Sequence, residues 1–186
     1  MRRVPFLLFI IVSLFFIAVI SQAAVVEKLT LPEMVKHSTR IVIGTITDVS
    51  SAWNKEHTQI YTTVVLDVTE SLKGNADPTL TFTQLGGAAE GIRVSVPGFP
   101  VFNKDADVLL FLSGSKDMPT IGLGQGKFDI YTDSNSGERM VANDIFGLET
   151  MGGGTPLNDP GSVNMSLNEM RRAVGDALDE SSEQKN

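Results

Sequence analysis

The stretch "HTQIYTTVVLDVTESLKGN", residues 57–75, decides the fold class. Ile60, Thr62, Val64, Leu66 and Val68 lie on one face of an extended chain, and Tyr61, Thr63, Val65, Asp67 and Thr69 on the other. Successive side chains of a strand point to opposite faces, so this two-residue repeat predicts a long strand with one buried side. The turn "KGNADP" ends it and "TLTFTQ" opens the next strand. Upstream, "RIVIGTITDVSS" is rich in β-branched residues and reads as the first strand.

Further along, "VLLFLSG" (108–114) is apolar on both faces, which predicts a central strand buried from two sides. "TIGLGQGKFDIYTD" and "ERMVANDI" read as a hairpin joined by "SNSG". "LGGAAEG" (85–91) reads as a flexible loop, "IRVSV" as a short strand and "PGFPVFNKDAD" as a proline-punctuated connection. A helix is expected on either side of the strands. In "LTLPEMVKHS", Thr30 and Glu33 form a capping box around Pro32. In "SLNEMRRAVGDALDE", Ser166 and Glu169 form a second, and Leu167, Met170, Val174 and Leu178 make one apolar stripe. The fold class is mainly β, and five to six strands with a long second strand suggest a small closed barrel.

The first residues, "MRRVPFLLFIIVSLFFIAVISQAAVVEKL", set a positive start at Arg2 and Arg3 before an apolar run from Phe6 to Ile20 and small residues at Ser21, Ala23 and Ala24. That order is a secretory signal peptide, and the run is short of the roughly 20 residues a spanning helix needs. The chain is therefore expected to be secreted or periplasmic, with no stable membrane anchor after cleavage. An uncleaved N-terminal anchor is the alternative. Residues 1–23 are assigned to the signal, 24–148 to the barrel domain, 149–165 to a Gly/Pro-rich linker, 166–180 to the C-terminal helix and 181–186 to a disordered tail.

Of the 186 residues, 15 are Lys or Arg and 22 are Asp or Glu, a net charge of −7. Loss of Arg2 and Arg3 with the signal lowers the basic count from 15 to 13 and the balance to −9. So acidic a chain lacks the basic footprint of a nucleic-acid binder. With no cysteine there are no disulfides and no thiol nucleophile.

"GLGQGKF" (122–128) has the look of a phosphate loop, but its glycines are misplaced for G-x-x-x-x-G-K and Phe128 stands where Ser or Thr must hold magnesium. As a strand, it would put Gly122, Gly124 and Gly126 on one face, easing a barrel corner. His37 and His57 are the only histidines, too few for a zinc site. Asp133, Asn135 and Glu138 in "DSNSGE" are weak candidate calcium ligands, in a stretch that also suits a hairpin turn. No G-x-S-x-G or H-E-x-x-H motif is present, no spacing singles out a carboxylate pair, and no cofactor is implied. Core filling is the plainer reading of Phe99 and Phe102 in "PGFPVF"; exposed, the pair would mark a contact patch.

In element order, "LPEMVKHSTRIVIGTITDV", "IYTTVVLDVTESLKG", "LTFTQ", "DADVLLFLSG" and "TIGLGQGKFDIY" together resemble the netrin-like, OB-fold barrel of the tissue inhibitors of metalloproteinases. The pattern is also similar to that of uncharacterised exported bacterial proteins. The resemblance implies an OB-like barrel and binding rather than catalysis, with a secreted or periplasmic protease or another envelope protein as partner. It further implies that the mature N-terminus, Ala24 or Val25, takes part in contact, since the inhibitors chelate the protease zinc with theirs. The expected function is an exported, non-enzymatic protein-binding module with Ala24, Val25, Phe99 and Phe102 as partner contacts. The alternatives are an enzyme with a dispersed carboxylate site in the loops, or a calcium or ligand carrier.

Overall fold

The computed structural model describes residues 28–75, 77–115, 119–143 and 164–183. Helix α1 (Leu31–His37) begins at the expected cap. The Glu33 N–H donates to Thr30 Oγ1 at 3.4 Å, and the Thr30 N–H donates to Glu33 Oε2 at 2.7 Å. At its other end Lys73 Nζ donates to the Val35 carbonyl at 2.6 Å, satisfying a carbonyl the short helix leaves open. Helix α2 (Leu167–Glu183) has the second box: the Ser166 N–H donates to Glu169 Oε2 and the Glu169 N–H to Ser166 Oγ. It runs three residues beyond the expected end, continued by Ser181 Oγ donating to the Ala177 carbonyl at 2.7 Å.

Nine strands are formed among the described residues: β1 (Arg40–Trp53), β2 (Ile60–Lys73), β3 (Thr79–Leu85), β4 (Gly87–Ala89), β5 (Ile92–Val94), β6 (Asp107–Leu112), β7 (Lys127–Thr132), β8 (Arg139–Ala142) and β9 (Asn164–Ser166). Seven make one antiparallel sheet in the order β3-β2-β1-β6-β7-β8-β9, and β4 pairs with β5 as a separate ribbon. The expected closed barrel of five to six strands is not what forms. A strand has two hydrogen-bonding edges, and those of β7 are taken by β6 and β8, so β7 has none left for β3. The stretch read as a flexible loop at 85–91 forms β4 and its turn into β5.

The glycine run also departs from its expected form. Gly122 and Leu123 take left-handed backbone (φ 58° and 62°), Leu123–Gly126 makes a 3₁₀ turn, and the strand begins only at Lys127. A side chain at Gly126 would stand 2.8 Å from the Ile121 carbonyl and 2.9 Å from that of Phe111, so the turn sits directly on its neighbours' backbone. A strand, not a helix, follows it, as the rejection of a phosphate loop requires.

Alternation along the strands splits the core between the two sheet faces. Ile41, Ile43, Leu109, Phe111 and Phe128 pack with Met34 and Val35 of α1 and with Leu167, Met170 and Val174 of α2. On the opposite face, Val42, Ile46, Val64, Leu66, Leu80 and Leu110 form a second core, which Phe102 and Ala106 of the β5–β6 connection help to cover. Each fully buried side chain of this size contributes roughly 1.5–3 kcal/mol. Strand β6 serves both cores and is the middle strand of the seven. Strand β1 bends through three register irregularities against β2, since bulges kink and twist a strand.

The signal residues 1–23, residues 149–163 of the assigned linker and residues 184–186 of the tail lie outside the described residues, whereas Asn164 and Met165 join β9. Among the described residues no helix is long and apolar enough to cross a membrane.

Candidate functional site

The second core ends in a row of polar side chains. Ser51 of β1 pairs with Thr62 of β2, and Thr62 pairs with Gln84 of β3, so the three lie side by side across three strands. Thr62 continues the face of Val64 and Leu66, and Gln84 that of Leu80 and Phe82, so the row shares the face of the apolar core. Above it, the chain leaves β3 through Gly86 and Gly87 into the β4–β5 ribbon. Residues 95–102 return alongside. Between floor, ribbon and returning loop is a cleft of about 270 Å³.

Hydrogen bonding fixes the chemical character of the floor. Thr62 Oγ1 donates its single proton to the Gly86 carbonyl at 2.7 Å. The 2.9 Å contact between Ser51 Oγ and Thr62 Oγ1 therefore has Ser51 as donor, which leaves Ser51 with acceptor lone pairs only. Gln84 Nε2 donates to the Pro100 carbonyl at 2.9 Å, tying floor to loop. Its Oε1 is buried and makes no hydrogen bond within the protein, although Gln84 as a whole is only 7% exposed. Such an acceptor costs about 1–3 kcal/mol in desolvation.

The rim is different. Val101, 71% exposed, and Val94 line the cleft and are two of the four exposed large hydrophobic residues among the described residues; a third, Ile92, lies two residues before Val94 on β5. Phe99 lines the cleft half-buried. Arg93 is the one charged residue in the lining, and it makes no ion pair among the described residues.

Of the expected contact residues, Phe99 and Phe102 both line the cleft, Phe99 half-buried and Phe102 buried. Phe102 is 6% exposed and meets Phe82 edge-on at 5.4 Å between ring centroids, so it is core, because its side of the loop faces the sheet. Ala24 and Val25 lie outside the described residues. The chain just after them is tied near the same loop. The Leu29 N–H donates to Gln125 Oε1 at 2.8 Å, and Gly124 N–H, from the same 3₁₀ turn, donates to the Gly98 carbonyl at 2.7 Å.

Of the candidate calcium ligands, Asp133 is engaged within its own turn. Asp133 Oδ1 accepts from the Ser136 N–H at 2.8 Å, the Asn135 N–H at 3.0 Å and Ser136 Oγ at 2.9 Å. These bonds, the Ser136 N–H first, hold its carboxyl below the usual value and close the β7–β8 turn. No group of three or more His, Cys, Asp or Glu able to hold a metal occurs among the described residues. His37 ends α1 and His57 stacks on Trp53 at 5.7 Å.

Sequence reasoning named both loops but missed Ser51, Thr62 and Gln84. A signal was there: Thr62 and Gln84 are the polar members of otherwise apolar strand faces. Comparison with known proteins found no match, whether among family models, curated proteins or solved structures.

Proposed function

We propose that the chain is an exported, non-enzymatic module that binds a protein partner through the cleft between the β4–β5 ribbon and residues 95–102. The observation that carries this is exposed apolar surface at Val94 and Val101, with Ile92 exposed on the same ribbon, beside a buried polar floor with an unused acceptor. Exposed apolar residues gathered at one concave place mark contact sites, and scattered ones do not. The lining holds no carboxylate and no histidine, so the alternative of a dispersed carboxylate site draws no support from this cleft.

Two features favour an OB-like, inhibitor-type relationship. The order β6-β1-β2-β3 is a Greek key, in which a fourth strand returns beside the first, and OB barrels are built on that arrangement. In addition, Leu29, near the start of the described chain, is held by the 3₁₀ turn that grips Gly98, so Leu29 and the loop have a common neighbour. Export rests on the charge and apolar order of residues 2–24. A protease or another envelope protein is the proposed partner class.

The test immobilises the chain and exposes it to the secreted and envelope fractions of the producing cell. A protein retained by the wild type is expected to be lost, at least tenfold, with Val101→Asp combined with Ile92→Asp, while the thermal midpoint stays unchanged. Equal retention by both would refute the reading.

A further inference from the structure

The cleft's chemistry is selective, and three observations narrow what it can hold. First, the side chains of its floor are rich in acceptors: Ser51 gives its proton to Thr62, Gln84 gives one N–H to the Pro100 carbonyl, and Gln84 Oε1 has no hydrogen-bond partner. An occupant bringing an N–H or O–H would give Gln84 Oε1 the partner it lacks. Second, Arg93 is the only charge in the lining, so a cationic donor such as lysine or arginine would meet a like charge and find no counter-ion. The donor is therefore neutral. Third, about 270 Å³ lies at or below the small end of ligand clefts and suits one side chain rather than an extended ligand.

The walls supply the remaining condition. Val94, Phe99 and Val101 present apolar surface above the polar floor, which fits a group with a flat apolar body and a donor at its tip. Tyrosine and tryptophan have that form, and both are enriched at the centres of interfaces for that reason. We propose that the cleft is a receptor for one tyrosine or tryptophan side chain of a partner protein, whose O–H or N–H donates to Gln84 Oε1 while its ring lies against Phe99 and Val101. This rests on the binding-module reading above and gives the partner's anchor a chemistry.

The experiment titrates the isotope-labelled chain with N-acetyl-tyrosinamide, N-acetyl-tryptophanamide, N-acetyl-phenylalaninamide and N-acetyl-argininamide, following backbone amide resonances of Gln84, Gly86, Val94 and Val101. The tyrosine and tryptophan amides are expected to shift these signals and to bind about two- to tenfold more tightly than the phenylalanine amide, the ratio one neutral hydrogen bond supports. The arginine amide should leave them unmoved. Gln84→Met, which removes the acceptor at similar volume, should bring tyrosine and phenylalanine to parity. The wild-type ratio decides by itself, should that variant fold poorly. Parity in the wild type, preference for arginine, or no shift with any of the four overturns the proposal. If parity is found while Val101→Asp with Ile92→Asp still abolishes partner retention, the aromatic anchor falls and the binding module survives. If retention is indifferent to those substitutions, both fall.

Discussion

Gly87 shows how little freedom the site allows at single positions. Its φ is 132°, and a β-carbon there would run into Ser51 Oγ and Thr62 Oγ1, the two hydroxyls of the floor. Gly87→Ala is expected to cost about 1–3 kcal/mol and to lift the ribbon from the floor. A lowered urea midpoint together with altered Val94 and Arg93 amide shifts would register it; an unchanged midpoint would contradict it. The caps respond to acid. Glu33 is held below the ordinary carboxylate value of 4.5 by the Thr30 N–H and then its hydroxyl, and Glu169 likewise by Ser166. Because both titrate lower folded than unfolded, their contribution is full above 4.5 and is lost as pH falls through the folded values. Urea midpoints taken from pH 7 to pH 3 should fall, and less steeply in the Glu33→Gln, Glu169→Gln double variant. Both boxes were readable in advance because cap and partner are three residues apart in sequence. The orphaned Gln84 oxygen was not, since its state depends on Pro100, sixteen residues on.

At the scale of elements, what decides is whether the controlling contacts are local. The two-residue repeat of β2 and the doubly apolar β6 announced themselves, because burial leaves its period in the sequence. The 3₁₀ turn did not. A left-handed Leu123 is disfavoured on its own, and the turn is fixed by bonds from elsewhere, from Gly124 N–H to Gly98 and from Asn143 Nδ2 to the Gln125 carbonyl. Helix α2 allows two attachments to be weighed. Arg171 forks onto Glu70, with Nη2 2.6 Å from Oε2, but both side chains are about a third exposed, which limits the pair to about 1 kcal/mol or less. Met170 is fully buried, and Met170→Ala should cost about 2–5 kcal/mol. Denaturant titration of Met170→Ala beside Arg171→Ala checks the ranking; a larger loss for Arg171→Ala would reverse it.

For the whole molecule, topology was half legible. Strand content and antiparallel hairpins followed from turns and periods, whereas closure depended on which edges find partners, a long-range matter without a local mark. With β8 and β9 extending past β7, the sheet stays open and needs a cover on each face. The two helices provide one of these covers, over Ile41, Ile43, Leu109, Phe111 and Phe128. A chain cut after residue 143 should therefore bind hydrophobic dyes and associate. A monomeric, cooperatively melting truncation with the original thermal midpoint would contradict this. Because helices and cleft lie on opposite sides of a single sheet, α2 is also a natural handle. A fluorophore, bead or sensor chip coupled to its outer polar residues would sit behind the molecule, leaving the mouth pointing into solution.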